Sequence, residues 1–312
     1  MENVKKRRGE RKMRLQDKLV PYLEYCTYRK ELDQKTVKAY RIDLNQYFTF
    51  VACEKIEEYI TELHKKYKQK TVKRKIASVK AYYSYLEENE LIKESPFRKI
   101  KVKFKENLIL PRIIPREEIE HLLNHMYGCL QQASETVYKY CLRDVAVIEL
   151  FFATGARVYE ISNIRAENVN LNTGLIQLMG KGAKERYVQI GSTSVLNILR
   201  KYYAENRAAI KKSGYFFVNG RGNRYTEQSI RLMLKKYTAQ AGIERNITPH
   251  MFRHSFATYL IEEGVDISCV QRILGHSSIK TTQIYIHVAA RKQAEILRDM
   301  HPRNNMKIIG AA

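Results

Sequence analysis

The chain has 312 residues, of which 44% are hydrophobic and 29% are charged, so a folded protein is expected and a disordered one is excluded. The length is enough for two domains, each with its own core. A formal net charge of +23 predicts a polyanionic partner, and it favours nucleic acid over an acidic membrane surface.

Cysteine usage and the apolar runs indicate a compartment. Five cysteines, an odd number without a CxxC pair, argue against a disulfide framework or a zinc ribbon and favour a reducing cytosol. The N-terminal charges are not followed by the apolar run of a signal peptide. No window approaches the roughly 20 apolar residues of a membrane helix. We therefore expect a cytoplasmic, nucleoid-associated protein without a membrane partner.

Residues 1–14 are expected to form a flexible basic arm, and residues 15–103 show helical periodicity throughout. A third helix is predicted over about 54–67, and Thr71 can cap a fourth. The pattern predicts a small bundle of four amphipathic helices. Apolar positions of the first, second and fourth helices include Leu19, Leu23 and Cys26, then Val37, Leu44 and Phe48, then Val72, Ile76, Val79, Tyr83 and Leu86.

The start of the fourth helix carries the basic run KKYKQKTVKRK. Residues 1–103 contain 27 Lys and Arg against 15 Asp and Glu, which is more than half of the net charge. Lys70, Lys73, Arg74 and Lys75 could contact DNA phosphates, with polar contacts to base edges in a groove. The alternative is a solvated helix face.

The segment from Lys93 to Arg116, which spans the boundary between the two predicted domains, contains Pro96, Pro111 and Pro115 and has neither helical nor strand periodicity. We place a linker at 104–112, after the bundle of 15–103, and a second domain at 113–312. A basic linker is what a protein that wraps around a duplex would need.

The second domain is predicted to begin with a helix from Pro115 to about Met126. His121, His125 and Cys129 lie at i, i+4 and i+8 there, but no fourth ligand is evident, so no metal site is predicted. A long apolar helix follows over about Arg143 to Phe152.

Gly155 is predicted to break that helix and to place Arg157 at the start of the next one, with Glu160 one turn behind it. A hairpin is predicted next, with strands over Leu175–Met179 and Arg186–Ile190 and the turn GKGAKE between them. Lys181 lies at the end of its first strand. This turn is no nucleotide-binding P-loop, because GxxxxGK[ST] is absent. Two helices, over about 195–211 and 226–242, are predicted after the hairpin.

The stretch from Thr248 to His287 contains His250, Arg253, His276 and Tyr285. Thr248 and Pro249 suit a helix start, which puts His250 and Arg253 one turn apart near a positive dipole end. A second helix, Ile267 to Leu274, is predicted to end at Gly275, directly before His276. Ser277 or Ser278 can cap a third helix that carries Tyr285. Two histidines, an arginine and a tyrosine around an anion site indicate phosphate chemistry without a metal.

Four motifs, ATGARVYEI, GKGAKER, HMFRHSFATYL and LGHSSIKTTQIYIHV, occur in that order. Together they resemble the active-site motifs of the tyrosine recombinase, or phage-type integrase, family, and the chain is most similar to Xer-type members. The resemblance covers about residues 15–303. It implies a mainly α fold with a small antiparallel β-sheet (α+β). It also implies an N-terminal helical bundle and a catalytic domain that close on DNA like a clamp, and a C-terminal exchange helix.

Carried over by position, the resemblance implies that Tyr285 is the nucleophile and that Arg157 and Arg253 bind the phosphate. Lys181 matches the hairpin lysine, with Lys184 as the other claimant. His250 and His276 complete the set, and Glu160 occupies a supporting acidic position. The region 127–139 is longer than a minimal member of the family needs, and the N-terminal domain matches only in pattern.

The implied function is a site-specific recombinase that cleaves and rejoins DNA through a 3′-phosphotyrosine, with no metal, ATP or other cofactor. The implied partners are double-stranded DNA with an inverted-repeat target and further copies of the chain in a tetramer; no small-molecule substrate is expected. A topoisomerase of type IB and a non-catalytic architectural DNA-binding protein are the alternatives. The intact set of active-site residues and the helical N-terminal domain favour the recombinase.

Overall fold

The computed structural model describes residues 15–51, 56–98, 100, 104, 112–180, 185–275 and 298–299. The chain divides into two compact units, Met1–Asn107 and Leu108–Ala312, and the division falls within residues 104–112. The described residues are mainly helical with one small antiparallel sheet, so the predicted fold class is confirmed. No helix among them combines the length and the apolar character that a bilayer crossing requires.

The described residues of the first unit form four α-helices, as the periodicity predicts. The fourth begins earlier than expected, because Lys68 is extended and its carbonyl accepts hydrogen bonds from the N–H groups of Thr71 and Val72. Thr71 is therefore the third residue of the helix and not its cap. The helices of this unit are α1 (Leu19–Tyr28), α2 (Gln34–Val51), α3 (Ile56–Lys66) and α4 (Gln69–Glu88).

The core of the first unit is unusually rich in tyrosine. Tyr22 packs edge-on against Tyr82 with ring centroids 5.0 Å apart, and Tyr47 does the same against Tyr59. A buried phenol requires a polar partner. The hydroxyls of Tyr47 and Tyr83 provide one for each other at 2.8 Å. This pair joins α2 to α4 within the apolar interior.

The second unit is built around one buried helix, α6, which contacts α5, α8 and α10. Helix α5 continues to Gln131 and α6 begins at Glu135. The region 127–139 therefore forms the end of α5, a short turn and the start of α6. The helices of this unit are α5 (Arg116–Gln131), α6 (Glu135–Thr154), α7 (Val158–Ser162), α8 (Thr193–Ser213), α9 (Glu227–Gln240), α10 (Pro249–Glu262) and α11 (Ile267–Leu274).

The sheet lies in the second unit and has the order β1-β2-β3, with both pairs antiparallel. Its strands are β1 (Val169–Asn170), β2 (Leu175–Met179) and β3 (Glu185–Gln189). The predicted hairpin is β2–β3, and β1 was not predicted. Leu178 pairs with Arg186 in the register, and Arg186 shares the inward face of β3 with the buried Val188.

Candidate active site

The connection between α6 and α7 is a tight glycine turn, as predicted. Gly155 has φ +58°, a left-handed conformation that caps α6, and its N–H donates to Phe151. A Cβ at this position would lie 2.5 Å from Phe256 and 2.9 Å from Leu274. The turn is therefore closely packed against α10 and α11. It places Arg157 immediately before the first residue of α7.

Glu160 holds Arg157 in two ways. Its Oε2 accepts from the backbone N–H of Arg157 at 2.7 Å, and its Oε1 accepts from Nη1 of Arg157 at 2.8 Å. The carboxylate has no exposed surface, whereas the Arg157 side chain is 37% exposed. The predicted support of Arg157 by an acidic residue one turn later matches this geometry.

A second arginine, which the sequence analysis missed, binds the same carboxylate. Nη1 of Arg186 lies 2.5 Å from Oε1 of Glu160, and Nη2 lies 2.8 Å from Oε2. A Cβ on Gly275 would lie 2.9 Å from Cδ of Arg186, so the stem of this arginine runs under the end of α11. Arg186 thus joins β3, α7 and the residue that precedes His276.

The two guanidiniums determine the charge state of Glu160. Burial by itself would raise the pKa of this carboxyl, but the hydrogen bonds from Arg186, the Arg157 backbone N–H and the positive charges outweigh it and hold the pKa below its ordinary value. Glu160 is therefore ionised at neutral pH. One negative charge is shared between two positive ones, so the group formed by Arg157, Glu160 and Arg186 keeps a net positive charge.

Arg253 fastens the same turn from the side of α10. It is 5% exposed, and it donates from Nη1 to the carbonyl of Gly155 at 2.8 Å and from Nη2 to the carbonyl of Leu274 at 2.6 Å. Charged donors make the strongest hydrogen bonds of this kind. Arg253 is therefore hydrogen-bonded to a residue only two positions before Arg157, although 96 positions separate the two arginines in the chain.

Helix α10 begins as predicted, with Thr248 extended before it and Pro249 in its first turn. His250 is exposed at this positive helix end, whereas Arg253, one turn later, is buried. The two residues lie one turn apart, as predicted, but only Arg253 faces the interior of the second unit. The neighbouring His254 is half-buried, and burial, then His250 and Arg253, hold its pKa below the ordinary value, so it is neutral at pH 7.

Helix α11 ends as predicted at Gly275, whose φ is +63°. Lys181, Lys184, His276 and Tyr285 lie outside the described residues. The described part of the site therefore comprises Arg157, Glu160, Arg186, His250 and Arg253.

Comparisons with known proteins show the family of the chain. Residues 112–292 match the model of the phage integrase family, and residues 19–90 match that of the phage integrase N-terminal SAM-like domain. A tyrosine recombinase of Agathobacter rectalis is 46% identical over 301 residues, covering 93% of this chain and 98% of its own. The chain belongs to the phage integrase family of tyrosine recombinases.

Two further relatives extend the comparison. Tyrosine recombinase XerD of Listeria innocua is 32% identical over 306 residues, covering 93% of this chain and all of its own. The crystal structure of XerH recombinase bound to palindromic difH, a post-cleavage complex, has a TM-score of 0.72 at 22% identity over 91% of this chain and 84% of its own, and thus shows the same fold. The chain is a site-specific recombinase, an enzyme that cleaves and rejoins DNA. The topoisomerase and architectural alternatives are not favoured.

The basic start of α4 lies in the recombinase's SAM-like region. The four residues that are predicted to contact DNA there differ in exposure. Lys70 and Lys73 are exposed. Arg74 is half-exposed and donates to Oδ2 of Asp43. Lys75 is only 3% exposed; its Nζ lies 3.0 Å from Oδ1 of Asp43 and also donates to Gln46.

The predicted phosphate contact is therefore wrong for Lys75 in this structure. Position 75 follows Val72 by three residues and precedes Val79 by four, so it lies on the apolar face of α4. A buried ammonium needs a paired carboxylate, and Asp43 supplies one on α2. The role of Lys75 is to join α2 and α4.

The three candidate metal ligands on α5 make other contacts. His121 Nε2 lies 2.8 Å from the carbonyl of Ala241, and Cys129 Sγ lies 3.6 Å from His125 Nε2. No cluster of His, Cys, Asp or Glu suited to a metal occurs within the described part of the chain.

Proposed function

We propose that this recombinase cleaves one DNA strand by attack of Tyr285 on a phosphodiester, leaving a 3′-phosphotyrosine and a free 5′ hydroxyl. Rejoining reverses the step, with the 5′ hydroxyl attacking the phosphotyrosine. One ester bond replaces another each time, so no ATP or other cofactor is needed. The protein is expected to act in the cytoplasm.

The observation that carries this proposal is the closely packed turn at Gly155. Arg157 follows the turn, and Arg253 is hydrogen-bonded to it. Negative charge develops on the non-bridging phosphate oxygens during attack. Two guanidiniums remain charged at physiological pH and can donate paired N–H groups to those oxygens.

The other groups are assigned by position and chemistry. A tyrosine has an ordinary pKa of about 10, so Tyr285 needs a base or a positive field at neutral pH. His250 is a candidate base, and the nearby guanidiniums supply the field. His276 can donate to the phosphate, and Lys181 can protonate the leaving 5′ oxygen, with Lys184 as the other claimant.

The two units are assigned different tasks. Residues 15–103 form the core-binding domain, in which Lys70 and Lys73 lie on the exposed face of α4, and residues 113–312 form the catalytic domain. Residues 1–14 are a basic arm, and 104–112 link the domains. The partner is duplex DNA with an inverted-repeat target.

Exchange between two duplexes requires two cuts in each, hence four protomers. We place the contact between protomers at residues 289–300, AARKQAEILRDM, which carry the apolar Ile296 and Leu297. A groove of about 580 Å³ between α5, α6 and α10 can receive such a segment from a second copy. Its floor includes the apolar residues Leu123, Phe152, Phe256 and Leu260, and the exposed carboxylate of Glu120 is available for the basic residues of the segment.

The test begins with DNA that is covalently trapped on the protein in cells and then sequenced. A synthetic duplex of the recovered sequence, nicked beside the cleavage point so that religation fails, is the substrate. The wild type is expected to form a protein–DNA adduct on a denaturing gel, because the cut strand cannot be resealed. Tyr285→Phe should bind the duplex with unchanged affinity and form none.

The matched control is Tyr159→Phe, since Tyr159 is an exposed tyrosine on α7 beside Arg157. It should form the adduct at the wild-type level. An adduct formed by Tyr285→Phe, or lost in Tyr159→Phe alone, contradicts the assignment of the nucleophile.

A further inference from the structure

The Glu160 carboxylate accepts side-chain hydrogen bonds from two arginines of the described site. Arg186 approaches both of its oxygens with Nη1 and Nη2, in a paired arrangement, and Arg157 adds a third side-chain donor to Oε1. Such a forked pair is the strongest form of guanidinium–carboxylate contact. Arg157 therefore makes fewer side-chain hydrogen bonds to Glu160 than Arg186 does.

Removing Arg186 would change the state of Arg157. One buried negative charge would then face one guanidinium, and both carboxylate oxygens would be open to it. A buried carboxylate must be paired, so Glu160 would take Arg157 in a forked contact of its own. The pair of Arg157 and Glu160 would then have no net charge, and Arg157 would have fewer donors left for a phosphate.

Arg186 is placed to act on Glu160 and not on DNA. Its side chain is 10% exposed, compared with 37% for Arg157. It lies on the inward face of β3 against Gly275, and its Nε is buried without an acceptor among the described residues. Within the described part of the chain, its side chain donates hydrogen bonds to Glu160 alone.

The position of Arg186 in the chain adds a second connection. It is the second residue of β3 and follows Lys181 by five residues. The strand that leaves the hairpin turn is thereby fixed to α7 through Glu160, and to the end of α11 through Gly275.

We propose that Arg186 is a positioning residue of the strand-cleavage reaction: by occupying Glu160, it leaves Arg157 charged and directed toward the scissile phosphate. This rests on the proposed function, in which Arg157 binds that phosphate. The effect passes through Glu160, so a second change at Glu160 must reveal it.

The experiment compares Arg186→Gln, Glu160→Gln and the double variant on the nicked duplex described above, measuring the adduct rate and the DNA affinity separately. Arg186→Gln should lose on the order of 100-fold in adduct rate, as expected when a transition-state contact is withdrawn, with affinity within about threefold of the wild type. The double variant should be about tenfold faster than Arg186→Gln, because a neutral amide in place of the Glu160 carboxylate has no charge with which to capture Arg157.

Arg200→Gln is the matched control, since Arg200 is an exposed arginine of the same unit that bonds to Leu171 and Asn197. It should cleave at the wild-type rate. If Arg186→Gln does not accumulate as a folded protein, Arg186→Lys replaces it in both the single and the double variant, because an ammonium keeps the charge but not the fork.

A double variant no faster than the single one would overturn the proposal, because the effect of Arg186 would then not pass through the charge of Glu160. Loss of affinity in step with the loss of rate would also overturn it, by making Arg186 a DNA-docking residue. Failure of the wild type itself to form an adduct would instead refute the proposed function.

Discussion

Arg157 and Arg253 carry the same guanidinium group, but they differ in burial and in their hydrogen-bond partners within the protein. Arg253 is buried, and its guanidinium ties the carbonyls of Gly155 and Leu274 together. Arg157 is 37% exposed and is held by one acidic residue. If both arginines bind the phosphate as proposed, stability and phosphate binding are combined in Arg253 and largely separate in Arg157.

Lysine substitution should distinguish the two roles. Arg253→Lys leaves at least one buried carbonyl without its donor, which costs about 1–3 kcal/mol of unfolding free energy. Arg157→Lys keeps a cation beside Glu160 at a partly exposed site and should cost less than about 1 kcal/mol. Both should lose on the order of 100-fold in adduct rate, because an ammonium cannot donate a fork to phosphate. Urea unfolding and adduct kinetics give the two quantities, and equal stability losses would contradict this division.

Among the elements, the α6–α7 turn depends most on a single residue. Gly155→Ala must adopt a left-handed conformation, at a cost of about 1–2 kcal/mol, and its Cβ would meet Phe256 and Leu274 inside contact distance. Overpacking of this kind adds about 1–3 kcal/mol. The turn precedes Arg157, so the adduct rate should fall as well. Thermal unfolding and adduct kinetics measure both effects.

Gly128→Ala is the control for this substitution. Gly128 lies inside α5, and a Cβ there meets nothing within 4 Å. Alanine should raise the unfolding free energy by about 0.5–1 kcal/mol through its helix propensity, without changing cleavage. Similar effects of the two substitutions would show that the conformation of Gly155 is not what matters.

Helix α4 contains lysines of two kinds, which salt dependence should separate. If Lys70 and Lys73 contact phosphates, replacing either with alanine should lower the slope of log affinity against log salt by about 1. Lys75→Met should leave that slope unchanged, but should cost on the order of 3 kcal/mol by breaking a buried ion pair. Fluorescence anisotropy on the target duplex at several salt concentrations measures the slopes. A lowered slope for Lys75→Met would restore it as a DNA contact.

Across the whole molecule, the sequence predicted the features that depend on local residue patterns, namely most helices and several helix ends. Helical periodicity located the helices, and glycine chemistry located the ends at Gly155 and Gly275. The two-residue strand β1 is too short to show a period. The end of α5 and the start of α6 were missed by several residues, because polar side chains near 127–139 obscure the helical periodicity on both sides of the turn.

The missed site residue depended on a contact between distant parts of the chain. Glu160 and Arg186 are 26 positions apart and meet only when β3 packs on α7. A signal was present nonetheless: Arg186 alternates with Val188, so it lies on the buried face of its strand. A cation on a core-facing position predicts a buried carboxylate, and the same rule would have predicted a partner for Lys75.

Assembly of several protomers on DNA is a property of the whole molecule, and we place the contact between protomers in the C-terminal segment. A helix over residues 289–300 would be too short to be stable by itself, so we expect the segment to dock, either on its own domain or on a neighbour. Docking on a neighbouring protomer would couple the placement of Tyr285 in one protomer to its placement in the next. Docking on its own domain would add stability without coupling.

Removal of residues 289–312 separates these cases. Binding to a single half-site should remain within about threefold of the wild type, since the phosphate contacts lie elsewhere, whereas cooperative occupation of the full inverted repeat should disappear. Leu297→Glu should act in the same direction, because a charge in an apolar groove is costly. Asp299→Ala, at a described and exposed position, is its control. Sedimentation on half-site and full-site duplexes measures both quantities, and wild-type cooperativity in the truncated protein would place the segment on its own domain.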